Sequence, residues 1–432
     1  LFFVTFEIPA KVYDLHTKTV LLAIIVRNDA AIYIIQLTTR GDYMLRVQTL
    51  NKIAPSGLKL FAAGKYTVGN DISQPDAVLV RSADMHNWNI PSSVQAIARA
   101  GAGVNNIPID LCSERGIVVF NTPGANANAV KELAIAALLL ASRDLAGGIS
   151  WVRTLEPDEN VARAVEAGKK AYSGPEIWGK KLGVFGLGAI GTMVANAAAG
   201  LGMEVYGYDP YITVDAAWML SRSVHRAVSP EEIYANCDYI ALHVPSTPET
   251  RNTICAETIA QMKDGVRIIN LAREDLVCNR EIAQALDSGK VAVYLTDFPS
   301  AEILKMKNVI AIPHLGASTP ESEDNCAAMA ASELIDYLEN GNIRNSVNFP
   351  DLTNPRGGDQ SICIMHKNIP NILAQMSASL SEAGLNIENL SNRSKKSMAY
   401  SVFEISGLCP ETVIDKLHTI EGTVKVRVIN NR

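Results

Sequence analysis

Three glycines fall in one short stretch, Gly186-Leu187-Gly188-Ala189-Ile190-Gly191. The stretch follows an apolar run over 181–185 and precedes a segment of helical composition that reaches Leu201. In that setting the first glycine permits a tight turn, the second lets the backbone approach a pyrophosphate, and the third lets helix and strand pack closely. The helix start at Ala189 and Ile190 adds free N–H groups and a partial positive charge. The next apolar run ends at Asp209, 18 residues beyond Gly191. A carboxylate there accepts from ribose hydroxyls and repels a 2′-phosphate, so the pattern predicts NAD rather than NADP.

Three further polar residues stand at the C-terminal ends of predicted strands, where open α/β sheets place their ligands. Arg273 follows the run 268–272, Glu302 lies in the loop after 291–297, and His314 follows 309–313. Together they suit the oxidation of a 2-hydroxy acid. A guanidinium fork holds a carboxylate and a carbonyl oxygen. A histidine takes the hydroxyl proton near neutral pH, and a neighbouring carboxylate orients the imidazolium and stabilises it.

Two blocks of alternating strands and helices position these groups. In the first, 45–49, 77–81, 96–100 and 117–120 read as strands, and 131–145 reads as a long buried helix. In the second, 181–185, 204–208, 239–243, 267–271, 291–297 and 309–312 read as strands, with a helix over 321–339 after them. Near-continuous apolar runs suit strands buried on both faces of a parallel sheet. Residues 347–358 read as a flexible linker by their Pro, Gly and Asn content. Beyond it, strand 361–366, helix 371–383, strands 385–392 and 399–406, helix 410–419 and strand 423–429 give a βαββαβ order. The expected fold is therefore α/β, with two Rossmann-like doubly wound parallel-sheet domains and a small C-terminal ferredoxin-like α+β domain. The expected divisions are an extension over 1–43, which has no clear domain logic, and a substrate-binding domain over 44–142 completed by 320–348. A cofactor-binding domain over 143–319, a linker over 349–360 and a regulatory unit over 361–432 follow.

Of the 432 residues, 48% are hydrophobic and 19% charged, with a net charge of −6, so a general affinity for nucleic acid or anionic membrane is not expected. Seven cysteines lie far apart with no Cys/His cluster of metal spacing, which fits a reducing compartment and no metal site. No apolar run approaches the roughly 18 residues of a membrane span, and no secretory signal is visible. The reading is of a cytoplasmic enzyme.

Several motifs in fixed order resemble the D-2-hydroxyacid dehydrogenases over residues 44 to about 350: Ala98-Arg-Ala-Gly-Ala-Gly-Val-Asn-Asn106, Asn121-Thr-Pro-Gly-Ala-Asn-Ala-Asn128, the glycine turn, Leu242-His-Val-Pro245, Asn270-Leu-Ala-Arg273 and Pro313-His-Leu-Gly-Ala-Ser318. The resemblance is strongest to the branch that oxidises D-3-phosphoglycerate to 3-phosphohydroxypyruvate at the entry to L-serine synthesis. It implies Arg273, Glu302 and His314 as the catalytic set. It implies cofactor contacts from His243, Val244, Pro245 and Ala272, with Asp297 on the nicotinamide carboxamide and His314 beside it. The backbone at Ala102 and Gly103 then meets the substrate carboxylate, and Arg81 its phosphate. The C-terminal unit resembles an ACT domain, which implies an L-serine effector contacting His366, Asn368 and Asn386; the dehydrogenase resemblance implies a homodimer or homotetramer paired through the nucleotide domain. Two positions depart from the pattern: Glu274 and Asp275 follow Arg273 where the family has glycine, and Asn371 stands where the ACT turn carries glycine. Two alternatives stay open. One is a reductase of glyoxylate, hydroxypyruvate or 2-oxoglutarate, separated by rates on a panel of acids. The other is a dinucleotide-sensing protein of the same fold, separated by binding without turnover.

Overall fold

The computed structural model describes residues 23–28, 31–36, 44–157 and 160–431. Most of the segment 1–43, read as an extension, lies outside the described residues. Within it, β1 (Ala23–Asn28) and β2 (Ala31–Gln36) form an antiparallel pair.

The first domain is a parallel five-stranded sheet of β3 (Leu45–Leu50), β4 (Tyr66–Gly69), β5 (Ala77–Val80), β6 (Ala96–Arg99) and β7 (Val118–Phe120), in the order β4-β3-β5-β6-β7. All four residues of β5 are buried, as its unbroken apolar run requires of a central parallel strand. The second sheet has seven parallel strands: β8 (Lys181–Phe185), β9 (Glu204–Tyr208), β10 (Val224–Arg226), β11 (Tyr239–Leu242), β12 (Val266–Asn270), β13 (Val291–Thr296) and β14 (Val309–Ala311). Its order, β10-β9-β8-β11-β12-β13-β14, reverses at β8, which creates the crevice that open α/β sheets use for dinucleotides.

The expected helix over 131–145 is Ala127–Ser142, and the chain breaks at Arg143 before a second helix, Leu145–Val152. The sequence reading places 127–142 with the first domain. Its side chains instead pack on the second sheet: Ala134, Ala137 and Leu138 share a core with Val184, Leu271 and Leu295. Arg267 Nε donates to the Ala141 carbonyl at 2.8 Å and fixes that end. The small alanines allow the helix to lie close against the strands, so the chain has crossed between sheets by residue 127.

The helix Pro320–Asn340 returns to the first sheet. Thr319 Oγ1 accepts from Ser322 N at 3.1 Å, proline occupies the first turn, and Gly341 ends the helix at φ 74°. On it Glu333 is 8% exposed; its Oε1 accepts from Asn345 Nδ2 at 2.8 Å, while Oε2 has no partner among the described residues. Burial raises this carboxyl from 4.5 to about 8. An acid raised on folding contributes stability that is complete below its unfolded value and is lost as pH rises from about 4.5 through about 8. The Glu333→Gln variant is expected to be more stable than wild type at pH 7, by on the order of 3 kcal/mol. The gain should disappear near pH 4. Thermal melts across that range check it, and a gain equal at both pH values would contradict it.

The C-terminal unit contains β15 (Gln360–Lys367), β16 (Ile387–Lys395), β17 (Met398–Ile405) and β18 (Thr423–Asn430) as an antiparallel sheet of order β16-β17-β15-β18. The helices Ile372–Glu382 and Glu411–Thr419 cover one face. Asn371 enters the first of these in the left-handed region at φ 67°, a conformation asparagine tolerates better than most residues. The other face is apolar as well. Cys363, Met365, Tyr400, Val402 and Ile429 merge into one core with Leu334, Tyr337 and Leu338 of helix Pro320–Asn340. Arg427 lies 4.3 Å from the Tyr337 ring centroid and donates to the Tyr337 and Leu338 carbonyls, while Tyr400 Oη donates to the Gly341 carbonyl at 2.8 Å. The bond to Leu338 satisfies a carbonyl that the helix end leaves free, whereas the Tyr337 carbonyl also accepts from Gly341 N at 2.9 Å. The linker expected to be flexible is therefore folded in place. Phe349 is fully buried, and Asn348 bonds Val119 N and the Ile117 carbonyl, both at 2.9 Å.

Candidate active site

A cleft of about 1270 Å³ opens between the two parallel-sheet domains. The first domain contributes Arg81, Arg99 and the loop from Gly101 to Asn105, and helix Pro320–Asn340 contributes Ser322, Glu323 and Cys326. The second contributes Arg273, Phe298 and His314. Three guanidiniums on one cleft favour an anionic occupant.

Each expected substrate-side residue lines this cleft. Arg81 follows β5, and its Nη2 donates to Glu323 Oε1 at 2.6 Å. The carbonyl of Ala102 accepts from Asn121 Nδ2 at 2.6 Å, which fixes the loop that carries Gly103. Arg273 follows β12 in an extended conformation, and the fully buried Asn270 holds it. Asn270 Nδ2 donates to the Arg273 carbonyl at 2.8 Å, and its Oδ1 accepts from Ala272 N at 3.2 Å. The two acids after Arg273 start a 3-10 turn, Glu274–Leu276, without positive φ, so no glycine is required. The Asp275 carboxylate is bound by Ser246 Oγ at 2.5 Å and Arg251 Nε at 3.3 Å, and those bonds hold it below the usual carboxylate range.

Arg99 escaped the sequence reading although it ends β6 as Arg81 follows β5. Its Nε donates to the Arg81 carbonyl at 3.0 Å, and its Nη1 packs so closely beneath the loop that a Cβ at Gly101 would stand 2.6 Å away. Burial lowers its pKa, and the Arg81 charge adds to that. The available signal was an arginine at the C-terminal end of a central parallel strand, whereas Arg81 was singled out by the family resemblance.

His314 follows β14 on the cleft wall, and Phe298 meets its ring edge-on at a centroid distance of 5.1 Å. Glu302 is not brought to it. Its exposed carboxylate faces Asn279 Nδ2 at 3.4 Å, at the start of the short turn Ile303–Lys305.

The cofactor residues gather at the C-terminal edge of the seven-stranded sheet. Gly186 has φ +86°, and a Cβ there would lie 2.6 Å from the His243 carbonyl. A Cβ on Gly191 would lie 1.8 Å from the Gly186 carbonyl, whereas Gly188 faces open space. This cradle fits a pyrophosphate over the helix Ala189–Gly200. Asp209 Oδ2 accepts from Leu187 N and Oδ1 from Tyr211 N, both at 2.8 Å, leaving further lone pairs for ribose hydroxyls. His243, followed by Val244 and Pro245 beyond β11, is lowered to about 4 by burial and is neutral at neutral pH. Ala272 and Asp297 complete the edge beyond β12 and β13. These residues fit NAD. Replacing Asp209 with Ser is expected to shift the ratio of kcat/KM for NADP over NAD at least about tenfold toward NADP. An unchanged ratio would contradict the ribose role.

Residues 135–316 match the family model described as D-isomer specific 2-hydroxyacid dehydrogenase, NAD binding domain. A D-3-phosphoglycerate dehydrogenase of Haemophilus influenzae is 33% identical over 339 residues, which is 76% of this chain and 79% of that one. One from Synechocystis is 35% identical over 294 residues, covering 65% of this chain but only 50% of its own length. Against that protein and others like it, the chain spans about half of the relative's length. Among solved structures, an NAD+-bound 3-phosphoglycerate dehydrogenase of Entamoeba histolytica superposes with TM-score 0.54 at 26% identity, covering 72% of this chain and all of that one. A D-mandelate dehydrogenase of Rhodotorula graminis, at 24% identity and TM-score 0.60 over 72% of this chain and 99% of its own, shares the fold. Together with an NAD-fitting glycine turn and a cationic cleft facing a histidine, the extent of the Haemophilus match settles the assignment: the chain belongs to the D-isomer specific 2-hydroxyacid dehydrogenase family.

Proposed function

We propose that this chain oxidises D-3-phosphoglycerate to 3-phosphohydroxypyruvate with NAD, the first step of L-serine synthesis. The observation that carries the substrate choice is the set of three arginines on one cleft, Arg81, Arg99 and Arg273, which is more positive charge than a plain 2-hydroxy acid needs. The similarity to enzymes named D-3-phosphoglycerate dehydrogenase supports the same reading.

Arg273 and the N–H groups around Ala102 and Gly103 hold the carboxylate and polarise the oxygen at C2. Arg81 and Arg99 take the phosphate. His314 accepts the C2 hydroxyl proton and releases it to solvent through the open side of the cleft. Bound NAD supplies the acceptor for the hydride that leaves C2. The protein's part is to orient the acid, polarise the oxygen and hold the proton.

Steady-state rates on a panel of D-3-phosphoglycerate, D-glycerate, glyoxylate, hydroxypyruvate and 2-oxoglutarate test the reading. Phosphoglycerate is expected to exceed unphosphorylated glycerate in kcat/KM by about a hundredfold or more, as one well-held dianion would give. Equal values would favour the reductase alternative. The reading extends to a soluble cytoplasmic homodimer or homotetramer and to L-serine feedback through an ACT-like C-terminal unit. Asn368 and Asn386 are exposed and open to an effector. His366 is buried between the Lys367 carbonyl and Ser401 Oγ, both at 2.8 Å, so it supports the site from within rather than from its surface.

A further inference from the structure

One of the three arginines on the cleft is ion-paired. Arg81 Nη2 donates to Glu323 Oε1 at 2.6 Å. Neither Arg99 nor Arg273 forms an ion pair among the described residues. Their recorded bonds go to neutral acceptors, Arg99 Nε to the Arg81 carbonyl at 3.0 Å and Arg273 Nη1 to the Ala272 carbonyl at 2.6 Å.

Glu323 is set in place by its helix. Thr319 caps Pro320–Asn340, Glu323 stands in the first turn, and its N–H donates to the Thr319 carbonyl at 3.0 Å. Ser56 Oγ donates to the Asp324 carboxylate at 2.7 Å, and Gly57 lies so close that a Cβ there would collide with the Ala327 carbonyl. This end of the helix is therefore packed tightly on the first domain. Arg81 belongs to the same domain, directly after the fully buried β5, so the pair does not depend on how the two sheets close. The two side chains are 41% and 42% exposed, which leaves an incoming ion access to them. One engaged Nη2 hydrogen leaves the guanidinium other donors for a ligand. An anion that takes them comes close to the Glu323 carboxylate, and like charges at short range repel. The penalty grows with the charge at that end of the ligand. It is greatest for a phosphate dianion and small for an acid whose only charge is the carboxylate at Arg273.

We propose that Glu323 is a specificity-determining residue: its carboxylate competes with the substrate's phosphate for Arg81, and so sets how strongly the cleft prefers a phosphorylated over an unphosphorylated acid. Glu323 acts through Arg81 and touches no reacting atom. The proposal rests on the reading above that places the phosphate at Arg81.

The first readout needs no turnover. Binding of inorganic phosphate to the full chain is measured by calorimetry at low ionic strength. Glu323→Gln keeps an acceptor oxygen for Arg81 and removes the charge, so it is expected to bind phosphate about five- to tenfold more tightly than wild type. Glu321→Gln removes the same charge from the same helix turn at an exposed position outside the cleft lining, and should bind phosphate as wild type does. In an Arg81→Met background the Glu323→Gln gain should vanish, because the double substitution isolates the pair. The second readout is kinetic. In Glu323→Gln the KM for D-3-phosphoglycerate is expected to fall about five- to tenfold and that for D-glycerate less than about twofold, a change carried by KM rather than kcat. Unchanged or weaker phosphate binding by Glu323→Gln, or a gain that survives in Arg81→Met, overturns the proposal. Glu323→Ala also removes the charge and must move phosphate affinity the same way, which keeps the test decisive should Glu323→Gln not fold. Tighter phosphate binding by Glu323→Gln in a chain that does not oxidise phosphoglycerate would uphold the competition while defeating the dehydrogenase reading.

Discussion

Replacing His314 with Ala is expected to lower kcat on the preferred acid about a thousandfold while NAD binding persists. The histidine stands against Phe298 on the wall of the cleft that Arg81, Arg99 and Arg273 also line. Among the cleft residues it is the group suited to take a hydroxyl proton at neutral pH. His86, the other imidazole on the cleft, is engaged at Nε2 by the Asn105 carbonyl at 3.1 Å. General-base removal typically costs 10²- to 10⁴-fold. Single-turnover rates with saturating NAD isolate this step from release. A His314→Ala variant within about fivefold of wild type would mean that another group, or bulk water, takes the proton.

Substitutions in the glycine turn should separate a packing role from a binding role. Ala at Gly191 would press its Cβ to 1.8 Å from the Gly186 carbonyl, a distance that backbone atoms cannot accommodate in place. Either the helix Ala189–Gly200 withdraws from β8 or the turn opens. Both remove the N–H cradle, so NAD affinity is expected to fall at least about a hundredfold, with a lowered Tm. At Gly188 a Cβ meets nothing within 4 Å, so Gly188→Ala should leave Tm unchanged. It should still weaken NAD, because the methyl group occupies the space a pyrophosphate needs. Calorimetric titration and thermal melts on the two variants check the pair of outcomes. Unimpaired NAD binding by Gly191→Ala would show that the cofactor is not held on this turn.

What the sequence revealed follows from how local each signal is. The glycine turn and the apolar strands around it depend on neighbours within a few residues, and their elements lie close to the expected positions. The destination of helix Ala127–Ser142 does not depend on its neighbours. An alanine-rich helix reads the same against either sheet, and Arg267 reaches Ala141 across 126 residues of chain. Glu302 was read from its place in the loop after 291–297, only 12 residues before His314, and at the start of the short turn Ile303–Lys305 its carboxylate meets Asn279. The docking of the C-terminal sheet was illegible for a similar reason. Pro, Gly and Asn between 347 and 358 look like a loose tether, whereas Asn348 and Asn354 use their amides to lock backbone groups far away in sequence. Arg427 reads as an ordinary strand charge until Tyr337 and the helix carbonyls are placed beneath it. Charged or amide residues whose partners are more than a dozen residues away carry no local signature.

The central claim is that the cleft between the two sheets oxidises a phosphorylated D-2-hydroxy acid with NAD. Its most direct test is the initial rate of NADH formation by the purified full chain on D-3-phosphoglycerate, with the L-enantiomer as control. The account expects NADH to form from the D-acid in a saturable manner, with the L-acid slower by at least about a hundredfold and NADP a poor replacement for NAD. Tight NAD binding with no NADH from the D-acid would contradict it and leave a dinucleotide-sensing protein built on a dehydrogenase fold.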